Sequence, residues 1–353
     1  MHSLDLNWLF SKKFYPILPP LLKDLRFEND FHDSVAIFSS GTTSHITKGY
    51  IISKRALMDN AEAVNDHLGL TSQDIWGLGL PDYHISGLSI HFRSKLLGNI
   101  AIAYGPWEAH SWCKKTQDCN VTVTSIVPTQ LFDLVRFKLS VPHHLKKLVV
   151  GGDQLNPDLY KAAVSAGWPV LRTFGMTECG PQIATEKEVG GGLVKLKLHQ
   201  LKTDQDERLL IKSSSLYSWK FKWKDRFSYE PLSEALDPEG YFITNDKVRL
   251  NADKLIHLGR SDDVIKISGR LFYLNEVRDL LEGWTLKHNL FKKVDITFED
   301  ESRTGKCVIC LYEKNTLTRR DIEDIKQLLN PFKIEEWREI DCMKRGVLVK
   351  LKK

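Results

Sequence analysis

The chain has 353 residues, of which 42% are hydrophobic and 27% charged, and this length and composition suggest about two domains of an ordinary globular protein. The net charge of +5 is small for this length, which argues against a nucleic acid or an anionic membrane surface as partner. No apolar run is long enough to cross a bilayer, and the first residues lack the order of a secretory signal, so we expect a cytoplasmic protein.

Strand-like and helix-like segments alternate in the first half of the chain. The apolar runs that predict strands are at 35–38, 75–80, 100–103, 121–126, 148–150 and 170–173. The segments with helical periodicity are at 53–68, 88–97, 128–137 and 157–166. This alternation predicts a mainly parallel sheet with helices on both faces.

The pattern changes after Gly175. Short strand-like segments at 193–201, 208–211, 241–244 and 254–258 predict antiparallel hairpins. The segments that follow predict a small α+β unit, with strands at 264–267, 294–298 and 307–312 and helices at 274–281 and 320–329. We therefore expect an α/β protein in which parallel α/β layers and a β subdomain form a large domain at 1–258, followed by a small α+β cap at 259–353.

The six cysteines are scattered along the chain, as in proteins of a reducing compartment. Cys307 and Cys310 have the spacing of a CxxC pair. They fall in the run 306–312, which reads as a strand, and residues three positions apart in a strand point to opposite faces. A buried strand is therefore favoured over a metal or redox site.

The first motif that suggests chemistry is SSGTTSHITKG at 39–49, directly after the strand at 35–38. Small residues let backbone N–H groups approach a polyphosphate, and hydroxyl groups and a lysine add donors and charge. The spacing differs from that of a P-loop, and a Ser/Thr-rich surface turn is the alternative. The residues expected to contact phosphate are Ser39, Ser40, Gly41, Thr42, Thr43 and Lys48.

The second motif, TFGMTE at 173–178, follows the strand at 170–173. Open α/β sheets bind ligands in the loops at the carboxyl ends of their parallel strands. A threonine hydroxyl beside a glutamate carboxylate suits phosphate and Mg²⁺, which prefers oxygen ligands. The alternative is a helix start capped by threonine. The candidate residues are Gly175, Met176, Thr177 and Glu178.

Two further motifs lie near the expected domain boundary. The strand-like run YFITND ends at Asp246, and GRSDDVIKISG covers 259–269. The carboxylate of Asp246 can accept both hydroxyls of a ribose, and the guanidinium of Arg260 can hold the same sugar or a phosphate. For the second run, a charged surface turn is the alternative.

In this order the motifs resemble those of the adenylate-forming superfamily, which includes acyl-CoA synthetases, adenylation domains and luciferases. The resemblance extends from about residue 35 to the C-terminus. The family's first loop reads SSGTTGxPKG, so Ser44 and Thr47 depart from it, and Asn245 replaces the glycine of the family's T-G-D. Relatives of full size have a longer stretch before the phosphate loop, and a homodimer is one way in which this chain could cover an exposed sheet edge.

The resemblance implies an ATP-dependent ligase that uses Mg²⁺ and CoA. It implies that Glu178 binds Mg²⁺, that Thr177 contacts the α-phosphate, and that the phosphate loop holds the β- and γ-phosphates. Asp246 and Arg260 would bind the ribose. The family's adenine-side loop corresponds to Gly151, Gly152 and Asp153.

The resemblance also implies roles in the C-terminal cap. Asp262 would be the hinge, and Lys266, Ser268 and Gly269 would line the path of CoA. Lys350 is the candidate for the lysine that catalyses adenylation. The alternatives are Lys344, Lys352 and a solvated basic tail without a catalytic role.

Two segments resemble the o-succinylbenzoate–CoA ligases of menaquinone biosynthesis, namely LPDYHISGLSIHFR at 80–93 and SIVPTQL at 125–131. The implied substrate, an aryl acid with two carboxylates, needs a cation for the carboxylate that is not activated, and Arg93 is the candidate. The alternatives are a surface arginine and, for His84, a polar turn residue. The substrate-binding residues implied are His84, which is also a catalytic candidate, Ser86, Gly87 and Arg93.

Two other functions stay open at this point. One is a CoA ligase for another aryl or acyl acid, with the same chemistry and a different pocket. The other is a catalytically impaired relative that binds a nucleotide or a partner, which the altered phosphate loop and the displaced lysine favour.

Overall fold

A computed structural model describes residues 11–17, 26–27, 29, 31–38, 47–99, 101–223, 226–261, 264–267, 270–301, 305–330, 334, 336–341 and 343. The strands in these ranges are β1 (Tyr15–Ile17), β2 (Ser34–Phe38), β3 (Thr47–Ser53), β4 (Trp76–Leu78), β5 (Ile102–Ala103), β6 (Val123–Ile126), β7 (Lys147–Val150), β8 (Val170–Phe174), β9 (Ala184–Thr185), β10 (Leu193–Lys195), β11 (Gln200–Thr203), β12 (Arg208–Lys212), β13 (Trp219–Trp223), β14 (Phe227–Pro231), β15 (Phe242–Asn251), β16 (Lys254–Arg260), β17 (Val264–Ile267), β18 (Arg270–Tyr273), β19 (Val294–Glu301), β20 (Gly305–Glu313) and β21 (Glu336–Ile340). The α-helices are α1 (Lys54–Leu68), α2 (Ile85–Leu96), α3 (Ala109–Asp118), α4 (Pro128–Arg136), α5 (Pro157–Ser165), α6 (Leu274–Lys287) and α7 (Arg319–Leu328). Two short 3₁₀ helices lie at Thr177–Cys179 and Leu232–Ala235.

The larger sheet orders its strands β11-β12-β15-β16-β10-β9-β8-β7-β6-β4-β5. Strands β8, β7, β6, β4 and β5 are parallel, and the pairings from β8 to β11 are antiparallel. The parallel set and the hairpins after it confirm the predicted α/β layers and β subdomain. The run predicted as one strand at 193–201 is two strands, β10 and β11, which pair at different places in the sheet.

Helices cover both faces of the parallel strands. On one face, Val123, Val149 and Leu171 pack against Val64 of α1 and Ile90 of α2. The other face packs against α3, α4 and α5 in a separate cluster. The two-faced packing confirms the prediction, although no segment of the sequence had predicted α3.

A second sheet, ordered β1-β2-β3-β13-β14, lies on the far side of α1 and α2. The sequence placed residues 35–38 among the parallel strands, and this is wrong, because β2 pairs antiparallel with β3 and parallel only with β1. Strand β3 pairs back on β2, although its first residues belong to the motif at 39–49, which was predicted to be a loop. Helices α1 and α2 are therefore sandwiched between two sheets.

Local sequence explains where α1 and α2 begin. The side chain of Ser53 accepts a hydrogen bond from the amide of Ala56, and Gly69 ends α1 in the left-handed conformation. Helix α2 begins at Ile85, three residues before the predicted start. A Cβ atom at Gly87 would overlap the carbonyl oxygen of Pro81, so glycine lets the chain before α2 pack against its first turn.

The C-terminal region contains the hairpin β17–β18, the sheet β19-β20-β21 and helices α6 and α7. Its apolar core includes Val277, Leu281, Ile296 and Ile325. Cys310 is buried in β20, as expected of a strand residue. Within the described ranges, no helix has both the length and the apolar character needed to cross a membrane.

Candidate nucleotide and acid site

The TFGMTE motif forms a tight turn at the carboxyl end of β8. Thr177 and Glu178 lie in the 3₁₀ helix that follows Met176, and both are half-buried. A Cβ atom at Gly175 would overlap the carbonyl oxygen of Pro181, so the turn closes on itself only with glycine there. The predicted Thr-Glu loop therefore lies at the sheet edge where parallel α/β folds bind ligands.

A tyrosine from the other sheet contacts Glu178. The hydroxyl of Tyr50 donates a hydrogen bond of 2.6 Å to Oε1 of Glu178. Tyr50 lies on β3, directly after the predicted phosphate loop, and is 8% exposed. Burial and then the Glu178 carboxylate raise the pKa of Tyr50 above its ordinary value, so the hydroxyl keeps its proton and acts as a donor. No sequence pattern singled out Tyr50, and its position just after the loop was the only signal.

A buried polar network lies beneath the same turn. The hydroxyl of Ser215 donates to the carbonyl oxygen of Cys179 at 2.8 Å, and the amide of Tyr217 donates to the carbonyl oxygen of Glu178 at 2.9 Å. His199 lies 3.0 Å from the hydroxyl of Ser213, and burial lowers the pKa of His199 to about 4. A neutral imidazole therefore supports the turn at neutral pH.

Asp246 and Arg260 come together across neighbouring strands. Nη1 of Arg260 lies 3.7 Å from Oδ2 of Asp246, and Nε2 of His257 lies 2.9 Å from Oδ1. The ring of His257 packs 5.0 Å from that of Phe174, at the end of β8. The charge of Arg260 also opposes the rise in the pKa of Tyr50. Three motifs predicted separately thus converge on one region, and His257 joins them without a motif of its own.

The loop at 151–156 contacts the C-terminal region. A Cβ atom at Gly151 would overlap the side chain of Thr173, and Gly152 has a φ of +83°. The exposed carboxylate of Asp153 pairs with Nζ of Lys292 at 3.2 Å. Beside it, Nε2 of Gln154 donates to Oδ2 of Asp279 at 2.6 Å. The loop predicted to face adenine is therefore also a docking point for the region after Gly259.

Helix α2 carries the residues predicted to bind the acid. His84 is the N-cap residue, and burial lowers its pKa below the ordinary value. Arg93 is 1% exposed, so the surface alternative is wrong. Its guanidinium lies over the ring of Trp76, 5.1 Å from the centroid, while its Nε and Nη2 have no hydrogen-bond partner among the described residues.

The structure does not bring His84 and Arg93 together. They are nine residues apart at the two ends of α2, which separates them by roughly 13 Å along the helix axis. Ser86 and Gly87 lie in the first turn, close to His84. No single carboxylate can therefore contact both His84 and Arg93. An acid that reaches both residues would have to extend along the helix.

Several predicted site residues lie outside the described residues, and their predicted roles stay predictions. They are Ser39, Ser40, Gly41, Thr42, Thr43, Asp262, Ser268, Gly269 and Lys350. Lys48 is on β3, where it lies opposite Lys222 in the register, and Lys266 is on β17.

The residues present are compatible with a Mg²⁺ ion bound together with ATP. The described residues include no cluster of three or more His, Cys, Asp or Glu side chains that could hold a metal by themselves. Glu178 offers one carboxylate, and Tyr50 occupies only its Oε1 atom. Mg²⁺ is commonly bound by one or two carboxylates, water and substrate phosphates. The site therefore fits a metal that arrives with the nucleotide.

Comparison with known families bears on the same region. The family model described as AMP-binding enzyme matches residues 28–206, just over half of the chain. The chain belongs to the AMP-binding enzyme family. The match includes the loop at 39–49 and the Thr-Glu turn, and ends before Asp246.

Curated relatives extend the similarity. The 2-succinylbenzoate–CoA ligase of Enterococcus faecalis is 27% identical over 274 residues, which cover 72% of this chain and 55% of the relative. That of Bacillus pumilus is 25% identical over 300 residues, covering 80% of this chain and 60% of the relative. The chain thus spans little more than half the length of these relatives.

Solved structures share the fold. O-succinylbenzoate CoA synthetase of Bacillus subtilis, in complex with its acyl-adenylate intermediate, superposes with a TM-score of 0.75 at 24% identity, covering 90% of this chain and 67% of that one. The same enzyme with ATP and a magnesium ion gives 0.74 at 23% identity, covering 93% and 71%. The described part of the chain therefore shares the overall fold of these structures.

Proposed function

We propose that the chain is an ATP-dependent acid–CoA ligase that converts o-succinylbenzoate to o-succinylbenzoyl-CoA in menaquinone biosynthesis. The observation that carries the proposal is the convergence of Glu178, Asp246 and Arg260 at the carboxyl end of β8, with Tyr50 linking them to the strand after the phosphate loop. The curated relatives with this activity and the synthetase structure that holds an acyl-adenylate support it.

The chemistry follows from the poor reactivity of a carboxylate, whose leaving group would be oxide. Attack of the acid on the α-phosphorus of ATP forms an acyl-adenylate and releases pyrophosphate. The thiol of CoA then attacks the acyl carbon and expels AMP. Both partners in the first step are anions, so the transition state needs positive charge and fixed hydrogen-bond donors.

Each site residue has a role in this scheme. Glu178 would hold Mg²⁺, which neutralises the phosphate charge when it is bound. Asp246 would accept the ribose hydroxyls, and Arg260, 3.7 Å from it, would orient that carboxylate and donate to the same sugar. Thr177 would donate to the α-phosphate. The loop at 39–48 would hold the outer phosphates, and a C-terminal lysine, Lys350 in our proposal, would assist adenylation.

The acid would lie along α2. A buried guanidinium with two unpaired nitrogen atoms is costly, and a ligand carboxylate would satisfy it through a charge-assisted pair. His84 is held neutral by burial, so it would orient the acid by hydrogen bonding and would not add charge. The unused carboxylate would thus reach Arg93 while the reacting one stays near the nucleotide.

We further propose that residues 259–353 act as a cap that docks on the loop at 151–156, with its hinge at Asp262. The contacts of Asp153 with Lys292 and of Gln154 with Asp279 support such docking. Both ATP and CoA are cytoplasmic metabolites, so we place the enzyme in the cytoplasm.

A pyrophosphate-release assay with ATP, Mg²⁺ and a panel of acids tests the proposal. We expect o-succinylbenzoate to support release and then, with CoA, thioester formation. Glu178→Gln should abolish release, whereas Lys114→Gln, an exposed change on α3, should leave it unchanged. If simple benzoates are better substrates, the assignment of the acid is wrong. If no acid supports release, the chain is a nucleotide-binding relative without ligase activity.

Adenylation and thioester formation can also be separated. Lys350→Ala should stop pyrophosphate release and leave the conversion of preformed acyl-adenylate and CoA intact. Unchanged adenylation would reject Lys350, and the same test on Lys344 and Lys352 would then identify the lysine.

A further inference from the structure

The hydroxyl of Tyr50 is the one described side-chain donor to the carboxylate of Glu178. The two residues are 128 positions apart, and the 2.6 Å distance between their oxygen atoms is short for an O–H···O bond, as expected when the acceptor is charged. Tyr50 is fixed in turn, because its ring packs 4.9 Å from that of Tyr217. The donor therefore occupies a rigid position between the two sheets.

The main chain of Glu178 is also held. The amide of Tyr217 bonds its carbonyl oxygen, and Ser215 bonds that of the next residue, Cys179. With the backbone fixed from one side and Oε1 held by Tyr50 from the other, the side chain keeps one orientation. Oε2 accepts no hydrogen bond from the described residues.

We propose that Tyr50 is a positioning residue that fixes Glu178 as a one-oxygen ligand for the Mg²⁺ that enters with ATP. The inference rests on the proposed function, in which Glu178 faces the nucleotide. The hydrogen bond occupies one lone pair of Oε1 and leaves Oε2 as the more accessible oxygen for the metal. Residues that orient a metal-binding side chain typically change metal affinity by about 10–100-fold when removed.

Two effects of removing the hydroxyl oppose each other. The free carboxylate would offer both of its oxygens to the metal, which favours binding, but it would also sample several rotamers. We expect the loss of orientation to dominate, because the backbone around Glu178 gives the side chain no other anchor.

Calorimetric titration of ATP with and without Mg²⁺, in the absence of acid, tests the proposal without turnover. The measured quantity is the factor by which Mg²⁺ tightens ATP binding. Tyr50→Phe keeps the ring and its packing, so we expect ATP binding in EDTA to be unchanged and the Mg²⁺ factor to fall by about 10–100-fold. Tyr160→Phe is the matched control, because it removes another tyrosine–glutamate contact, to Glu186, and leaves both Tyr50 and Glu178 in place.

The double variant Tyr50→Phe/Glu178→Gln decides whether Tyr50 acts through Glu178. If it does, the change at Tyr50 has no further effect once the carboxylate is gone, so the two changes are not additive. An unchanged Mg²⁺ factor in Tyr50→Phe, or an additive loss in the double variant, would overturn the inference. Failure of the unaltered chain to bind ATP more tightly with Mg²⁺ would instead count against the proposed function.

Discussion

Replacing Arg93 by methionine should stabilise the unliganded protein while it removes the anchor for the acid. Arg93 is 1% exposed, and two of its guanidinium nitrogens have no hydrogen-bond partner among the described residues. A binding site can retain such a costly group, because a ligand carboxylate neutralises it on binding. Methionine has a similar length and no charge, so it fills the same space next to Trp76.

The magnitude can be worked from the burial. The pKa of Arg93 falls from 12.5 to about 9 because of burial, and a shift of this size disfavours the charged form by about 5 kcal/mol. That value is an upper bound, since replacing buried ionic groups by apolar ones typically gains about 1–4 kcal/mol. Losing the contact of the guanidinium with Trp76 costs about 0.5–2 kcal/mol. On balance, we expect Arg93→Met to raise the free energy of unfolding by about 1–2 kcal/mol.

Urea denaturation without ligands measures the change in the free energy of unfolding, and the KM for o-succinylbenzoate relative to benzoate measures the loss of the anchor. Arg93→Lys is the matched variant, because it keeps the charge and loses the two-pronged geometry. A loss of about 3 kcal/mol or more in Arg93→Met would refute the reasoning, because it would show that the guanidinium already has a partner. Unchanged selectivity between the two acids would refute the binding role alone.

Three further changes test other parts of the structure. Phe291→Ala should weaken docking of the C-terminal region by about 2–3 kcal/mol, seen as faster limited proteolysis there, whereas Leu280→Ala, 45% exposed, should have little effect. The pKa of His199 is about 4 when folded and near 6.5 when unfolded, so the unfolded state binds the extra proton. Stability should therefore fall as the pH drops from 6.5 to 4, by up to about 3 kcal/mol, and His199→Gln should flatten that slope in pH-dependent unfolding. Gly87→Ala should lower the melting temperature because the new methyl group meets the chain before α2, while Ser86→Ala should not.

Short-range patterns predicted most of the elements. The helical period at 53–68 placed α1 within one residue of its observed bounds, Lys54–Leu68. Several of the strands that the sequence did not predict pair with segments far away in the chain. Strand β13 alternates aromatic and lysine residues with the period of a strand, but its partner β3 lies about 170 residues earlier, so the local pattern could not show where it pairs. The mistaken place of β2 has the same cause, since nothing near residues 35–38 reveals that the chain turns back.

The candidate site divides in the same way. Glu178, Asp246 and Arg260 were predicted because each belongs to a short motif with its own chemistry. Tyr50 and Lys292 were not, because each acts on a residue more than 100 positions away and carries no motif. The burial of Arg93 could not be predicted from the sequence of α2 alone. The helix packs between two sheets, and the strands that cover it come from other parts of the chain.

The contact that opposes movement of the proposed cap is apolar rather than ionic. Asp153, in its pair with Lys292, is 60% exposed, and exposed pairs of this kind contribute at most about 1 kcal/mol. Phe291 is 5% exposed and its ring lies 4.6 Å from that of Phe132, within the core on α4 and α5. Withdrawing such a ring from its pocket costs about 2–3 kcal/mol in exposed apolar surface. Rotation of the proposed cap would therefore have to withdraw Phe291 from this core, at a higher cost than breaking the exposed ionic pair.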